Sequence, residues 1–401
     1  MMDNNITMES ELQDEAEKEI SAYWESISRK RAVEGLLCNI NTIQQGFCPK
    51  WETGIEDLDT LLDGGLRAKQ LICLGAIPSL GKSSLVLQIA DNIARSGRDV
   101  LYISLEMDSD ELLAKSISRE TYLLSLKNKT LEKYRLNTSD ILSGRVGALG
   151  EKKRQYFDEA LERVQETDEH LFYLIGENNI NVDYIRTALD IHQKKRNRSP
   201  VVFVDYLQIL KPSEDAKQSR NNDKRLLTDE DVTALKTIAR DYKVPVVIIS
   251  AFNRDAYLRP VSTSSFRESS GIEYSADVLI GMQYTGSEYH KNVRWITEKS
   301  GKKTKLSTYE SKADHENRVR EKMDEMDEAP IRPITLKVMK NRNGIKGRVY
   351  LDFVAGYNYF KPSLERENDV VILEEYEESE AESGEKGDIT PNVDINFLNE
   401  P

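Results

Sequence analysis

From about residue 51 the sequence alternates short apolar runs with helical stretches, and that rhythm leaves few folds open. QLICLG (70–75) precedes a helical stretch over 83–96, and DVLYISLE (99–106) precedes a longer one. The pattern continues through HLFYLIG (170–176), PVVFVDYLQIL (200–210), VPVVIIS (244–250), ADVLIGMQY (276–284), ITLKVMK (334–340) and GRVYLDFVA (347–355). Short continuous apolar runs bounded by turn residues belong to strands buried on both faces. With helices between them they specify an α/β core over about 51–362, a largely parallel sheet covered on both sides.

The flanks are different in kind. Within an N-terminal extension over 1–50, residues 8–36 carry Leu12, Ala16, Ile20, Tyr23, Trp24, Ile27 and Ala32 mostly at three- and four-residue spacing. This is an amphipathic helix that needs a surface, either on its own domain or on a neighbouring subunit. Residues 286–332 are highly charged and poor in large aliphatics between two strand candidates, which predicts a surface insertion, partly mobile. The segment 363–401 is an acidic tail expected to be disordered, and its end, NVDINFLNE, sets Ile395, Phe397 and Leu398 among acids as a docking motif for a protein partner would. Residues 364–401 hold 13 acidic and 2 basic residues, which leaves the body at about −2 of the total −13. The net charge therefore does not argue against a nucleic-acid partner.

Cys38, Cys48 and Cys73 form no C-x-x-C pair and have no histidine at zinc spacing, so neither a metal knuckle nor a disulfide framework is indicated. The start is acidic, and no stretch approaches the 18 or so apolar residues of a membrane span. These features predict a cytoplasmic protein with no membrane partner.

The segment AIPSLGKS, Ala76 to Ser83, matches the phosphate loop G-x-x-x-x-G-K-[ST] with Ala in place of the first Gly. Between a strand and a helix such a loop aims successive backbone N–H groups at phosphates, and the helix N-terminus adds positive potential. Pro78, Ser79, Leu80, Gly81, Lys82, Ser83 and Ser84 are the expected nucleotide-binding residues, with Lys82 on the β- and γ-phosphates and Ser83 on Mg²⁺. ATP or GTP with Mg²⁺ is the implied ligand.

Two acids follow strands. Glu106 emerges from YISLEM beside the loop, where a carboxylate can orient or deprotonate an attacking water; the alternative is a helix-start residue. Asp205 ends the run VVFV, where a cation partner would offset its desolvation, so it is expected to bind nucleotide and metal together with Ser83; the alternative is a helix cap. Lys340 and Arg342 lie in KNRNG after the strand ITLKVM. They either reach a nucleotide held by an adjacent subunit, as an arginine finger does, or decorate an exposed basic turn.

Taken in order, TGIEDLDTLLDGGL, AIPSLGKSS, YISLEM, VVFVDYLQIL, VPVVIIS followed by FNR, FRESSGIEYSADVLIG and KNRNG resemble the motor domain of the DnaB-type replicative helicases, hexameric relatives of RecA. The resemblance spans about 51–362. It implies a RecA-like core, a twisted, mostly parallel sheet flanked by helices. It also implies Lys82 and Ser83 on phosphate and Mg²⁺, Glu106 as catalytic carboxylate, Asp205 as the second metal-side acid, and Lys340 and Arg342 acting in trans. A homo-hexamer around single-stranded DNA is implied too. Two candidate channel loops are 211–228, with Lys211, Lys217, Arg220, Lys224 and Arg225, and 252–268, with Arg254, Arg259 and Arg267. Cations there would meet backbone phosphates without reading sequence.

Three departures stand out. The helical collar of that family has no counterpart in the 50 or so residues ahead of the core. Ala251 stands where the family has a γ-phosphate-sensing Gln, and an alanine has no hydrogen-bonding side-chain group. The segment 286–332 is longer than the family's usual connection. The leading expectation is an ATP-dependent helicase or translocase on single-stranded DNA. A RecA-class ATPase that assembles a ring or filament to recruit a protein is the alternative, and a non-hydrolysing binding module is a third.

Overall fold

The computed structural model describes residues 29–44, 50–144, 150–176, 180–207, 224–266, 269–289, 291–297 and 303–363, with five isolated positions besides. The acidic tail with its Ile395, Phe397 and Leu398, the loop cations Lys211, Lys217, Arg220 and Arg267, and most of the helix expected over 8–36 lie outside the described residues.

The elements begin with α1 (Arg29–Gln44), β1 (Lys50–Trp51), α2 (Glu56–Leu61), β2 (Leu66–Arg67), β3 (Leu71–Ala76), α3 (Lys82–Arg95), β4 (Val100–Ser104) and α4 (Ser109–Lys127). Next come α5 (Thr138–Leu142), α6 (Glu151–Gln165), β5 (Leu171–Ile175), α7 (Val182–Arg196), β6 (Val201–Asp205), α8 (Lys224–Asp241), β7 (Val246–Ala251) and α9 (Ser269–Ser275). The chain ends with β8 (Val278–Tyr284), β9 (Lys291–Thr297), β10 (Lys303–Tyr309), α10 (Lys312–Glu328), β11 (Ile331–Asn341), β12 (Gly347–Val354) and β13 (Tyr359–Pro362).

Nine strands form one sheet in the order β13-β12-β11-β8-β3-β7-β6-β4-β5. The six strands from β8 to β5 are mutually parallel, while β11, β12 and β13 extend the sheet antiparallel. Every residue of β3, β4, β6 and β8 is buried, as strands covered by helices on both faces require. The edge strand β5 is only half-buried. Parallel strands bring all their carboxyl ends to one side, so Ala76, Ser104, Asp205 and Ala251 share the end where open α/β sheets hold ligands.

Between β4 and β5 the chain adds a small helical lobe. Ile117 and Leu124 of α4 pack on Tyr156, Ala160 and Val164 of α6 as a separate apolar cluster. At three- and four-residue spacing these apolar positions give each helix one buried stripe.

The described N-terminal helix begins at Arg29 and runs on to Gln44, with Val33, Leu36, Leu37 and Ile40 exposed. Among the described residues of the segment 286–332, β9 pairs antiparallel with β10, and Ser311 caps α10 by accepting from Asp314 N. Charge pairing anchors α10 here. Arg318 donates to the Glu310 carboxylate at 2.6 Å and to the carbonyls of Gly286 and Glu288, while the fully buried His315 stacks on Tyr289 at 4.0 Å.

Candidate nucleotide site

The phosphate loop joins β3 to α3 as expected. Gly81 precedes the helix at φ 87°, a left-handed conformation that costs an L side chain about 1–2 kcal/mol. A Cβ there would also sit 2.7 Å from the Phe353 ring, so both backbone and packing demand glycine. Ala76, where the pattern has its first Gly, is still sheet: it pairs in register with Ala251 and Met282. The close approach falls one residue earlier, at Gly75, whose Cβ would lie 2.4 Å from the rings of Phe252 and Phe266. The alanine is thus tolerated because strand geometry persists to residue 76.

Lys82 opens α3, and its ammonium donates to the Ile77 carbonyl at 2.8 Å and to the Ala76 carbonyl at 3.3 Å. Burial pulls its pKa below the ordinary lysine value, and the charges of Asp205 and Glu106 oppose that shift. Both predicted acids therefore act electrostatically on the predicted phosphate lysine.

Asp205 is buried, at 1 % exposure, as the last residue of β6. Its Oδ2 accepts from the Tyr102 hydroxyl at 3.0 Å, whereas Oδ1 has no partner of hydrogen-bonding geometry among the described residues. Burial raises this carboxyl above the usual aspartate range, opposed first by the neighbouring Ser83 hydroxyl and then by Tyr102. A buried carboxylate oxygen without a donor, beside a serine hydroxyl, is a donor set suited to a hard cation such as Mg²⁺.

Glu106 is exposed just past β4. Leu105 N donates to the Asp205 carbonyl at 2.8 Å, which keeps the chain alongside β6 for one more residue. The Ser104 hydroxyl then donates to Met107 O at 2.6 Å and accepts from Met107 N, closing a turn around Glu106. Asp108 is the N-cap of α4, in a reciprocal capping box with Glu111, so Glu106 is not the helix-start residue.

Lys340 and Arg342 lie at the other end of the sheet. Arg342 donates to Asp277 Oδ1 at 3.1 Å and to the Tyr274 carbonyl, and Lys340 donates to the Glu273 carbonyl at 2.5 Å. Asp277 also accepts from Leu71 N, the first residue of β3, and from Lys236. The length of β3, roughly 17 Å, separates this cluster from the phosphate loop. The structure therefore does not bring Lys340 and Arg342 to the loop of their own chain.

Of the proposed DNA-contacting residues, Arg254 is exposed in the single turn Arg254–Ala256 beyond the carboxyl end of β7. Lys224 and Arg225 open α8, with side chains outside the described residues.

Three residues that the sequence reading did not single out adjoin the site. Lys115 on α4 donates to Asn358 Oδ1 at 3.0 Å and to Ser84 Oγ at 3.4 Å. Asn358, at φ 52° between β12 and β13, also accepts from Ser84 at 2.9 Å and donates to Thr138. Arg332 donates to the Ser79 carbonyl of the loop at 3.3 Å. Apart from an amphipathic position on α4, nothing local in the sequence marks them, because their partners lie far away in the chain.

Comparison with known proteins agrees with this geometry. The replicative DNA helicase DnaB of Helicobacter pylori (strain J99) is 27% identical over 319 residues, 77% of this chain and 59% of that protein. The DnaB of Geobacillus stearothermophilus is 26% identical over 323 residues, 79% of this chain and 57% of that protein. The chain thus spans less than two thirds of the length of these relatives. A solved DnaB-like replicative helicase, described with its interactions with primase, shares the fold at a TM-score of 0.61 and 19% identity, over 88% of this chain and 74% of its own. The model of the DnaB-like helicase C-terminal domain matches residues 51–362. The chain belongs to the DnaB-like helicase C-terminal domain family.

Proposed function

We propose that this chain is an ATP-dependent DNA helicase or translocase that acts on single-stranded DNA as a ring-shaped oligomer. The observation that carries the reading is the gathering of Lys82, Ser83, Asp205 and Glu106 at the carboxyl end of one sheet, in a chain of this family. The backbone N–H groups of residues 79–84 and the Lys82 ammonium hold the phosphates. Ser83 and Asp205 would hold Mg²⁺, which when bound would neutralise charge on the phosphate oxygens. Glu106, exposed on its turn, accepts the proton of the attacking water. Arg342 and Lys340 sit too far from their own loop to assist, so their role in turnover is on the nucleotide of a neighbouring copy in the ring, a homo-hexamer. Contact with the DNA backbone is assigned to Arg254 together with Lys217, Arg220, Lys224 and Arg225.

The test is ATP hydrolysis by the purified chain with and without single-stranded DNA, at two salt concentrations, with assembly mass recorded. The proposal expects stimulation by DNA that fades with salt, in an assembly of six. Glu106→Gln should keep nucleotide binding and abolish turnover; parental turnover in that variant sinks the assignment.

One observation favours a second reading, an ATPase that assembles to recruit a protein without unwinding DNA. Ala251 ends β7 directly beside Ala76 in register, so a side chain without hydrogen-bonding groups occupies the sheet end next to the phosphate loop. Hydrolysis indifferent to DNA, together with no strand separation, would favour that reading.

A further inference from the structure

The phosphate loop is gripped from outside by the residue that ends the charged insertion. Arg332, the second residue of β11, donates from Nη1 to the Ser79 carbonyl at 3.3 Å. Its Nη2 donates to the Asp327 carbonyl at 2.6 Å and its Nε to the Ala329 carbonyl at 3.4 Å. Those carbonyls belong to the last turn of α10 and its C-cap, where a cation also meets the negative end of the helix dipole. The Asp327 side chain accepts in turn from the Tyr284 hydroxyl at 2.8 Å, at the end of β8. One guanidinium therefore ties α10, the sheet and the phosphate loop together.

The grip has a directional consequence. In a trans peptide the C=O and the following N–H point in opposite directions. A donor holding the Ser79 carbonyl therefore leaves the Leu80 N–H directed away from Arg332, available to a phosphate. Ser79 is also at φ 63°, a left-handed conformation that a serine adopts at a cost. The neighbouring turn is fixed from the same hairpin, because Phe353 pairs across the strands with Arg332 and packs on Gly81.

We infer that Arg332 is a positioning residue of the nucleotide site, which orients the Ser79–Leu80 peptide and makes the insertion helix α10 respond to nucleotide occupancy. This rests on the nucleotide reading above and extends it. Phosphates drawing on the Leu80 amide pull the same peptide whose carbonyl Arg332 holds, so the last turn of α10 tightens when nucleotide binds. In the reverse direction, a ligand that displaces α10 loosens the loop and weakens nucleotide binding.

The test pairs Arg332→Ala with Arg332→Lys. Binding of a fluorescent ATP analogue, steady-state ATPase kinetics, and hydrogen exchange across residues 312–328 with and without nucleotide are measured for each. For Arg332→Ala the expected result is a rise in Kd and KM of about tenfold, the worth of one charge-assisted hydrogen bond, with kcat at saturation unchanged. Nucleotide should slow exchange in the last turn of α10 in the parent and not in Arg332→Ala. Arg332→Lys should recover part of the affinity, since one ammonium can still reach the Ser79 carbonyl. Should Arg332→Ala fold poorly, Arg332→Gln, which keeps an N–H donor, carries the same measurements. A parental KM with parental exchange behaviour in the variant overturns the inference, as does a uniform loss of kcat and stability with KM unmoved. A parent that binds no nucleotide overturns the nucleotide reading instead.

Discussion

The Tyr102 hydroxyl donates to Asp205 Oδ2 at 3.0 Å, joining the middle of β4 to the end of β6 beneath the phosphate loop. Both residues are buried, and Tyr102 is held edge-on by Tyr173 at 6.1 Å and stacked by Phe203 at 6.0 Å. Tyr102→Phe keeps those ring contacts and removes the hydroxyl's hydrogen bond to that oxygen. Stripping a donor from a buried carboxylate costs about 1–3 kcal/mol. Urea denaturation should show a loss of that order, and a midpoint equal to the parent's would mean that the hydroxyl contributes nothing to holding Asp205.

Gly81 is constrained twice, by φ 87° and by the Phe353 ring 2.7 Å from where a Cβ would be. Gly81→Ala should therefore displace the turn ahead of Lys82 and weaken ATP binding by about tenfold or more, given about 1–2 kcal/mol of backbone strain alone. Combining it with Phe353→Ala removes the collision but not the backbone strain. The double variant should recover part of the affinity at most, and full recovery in a binding titration would assign the whole constraint to packing.

Arg342 is half-exposed, and the Asp277 it touches retains Lys236 and Leu71 N when the arginine is removed. Arg342→Ala should accordingly cost less than about 1 kcal/mol of stability. If the side chain serves a neighbour's nucleotide, turnover by the assembly should fall by on the order of a thousandfold while an isolated subunit binds ATP normally. Mixing the variant with Lys82→Ala subunits checks this, because each supplies what the other lacks; activity that never rises above that of either alone would refute action in trans.

How much of this was legible in the sequence depended on whether a feature is local. The runs that became β3, β4, β6, β7 and β8 were readable because strands buried on both faces need uninterrupted apolar residues, and the loop from Ala76 to Ser83 is contiguous. Glu106 and Asp205 were readable because an acid at the end of such a run needs a reason. β13 was not, since YFKP is four residues long and owes its pairing to β12. Arg332, Lys115 and Asn358 were equally hidden, for each acquires its role from a partner more than a hundred residues away, apart from the Arg332 contacts within its own turn. The elements inside the insertion were not legible either, because their anchoring includes ion pairs such as Arg318 with Glu310, which an index of aliphatic content does not register.

Asp231 on α8 provides a pH test of the fold that is independent of the nucleotide site. Burial, reinforced by the adjacent charge of Glu230, raises its carboxyl to about 7. A folded-state value above the unfolded one, about 3.9, means that the native chain holds this proton more tightly. Its stabilising contribution is complete below the unfolded value and is lost as pH rises through about 7. Asp231→Asn keeps the shape and cannot ionise. Melting temperatures taken from about pH 5 to about pH 8 should fall more steeply for the parent than for Asp231→Asn, and two parallel curves would show that Asp231 is ionised at no cost in the folded chain.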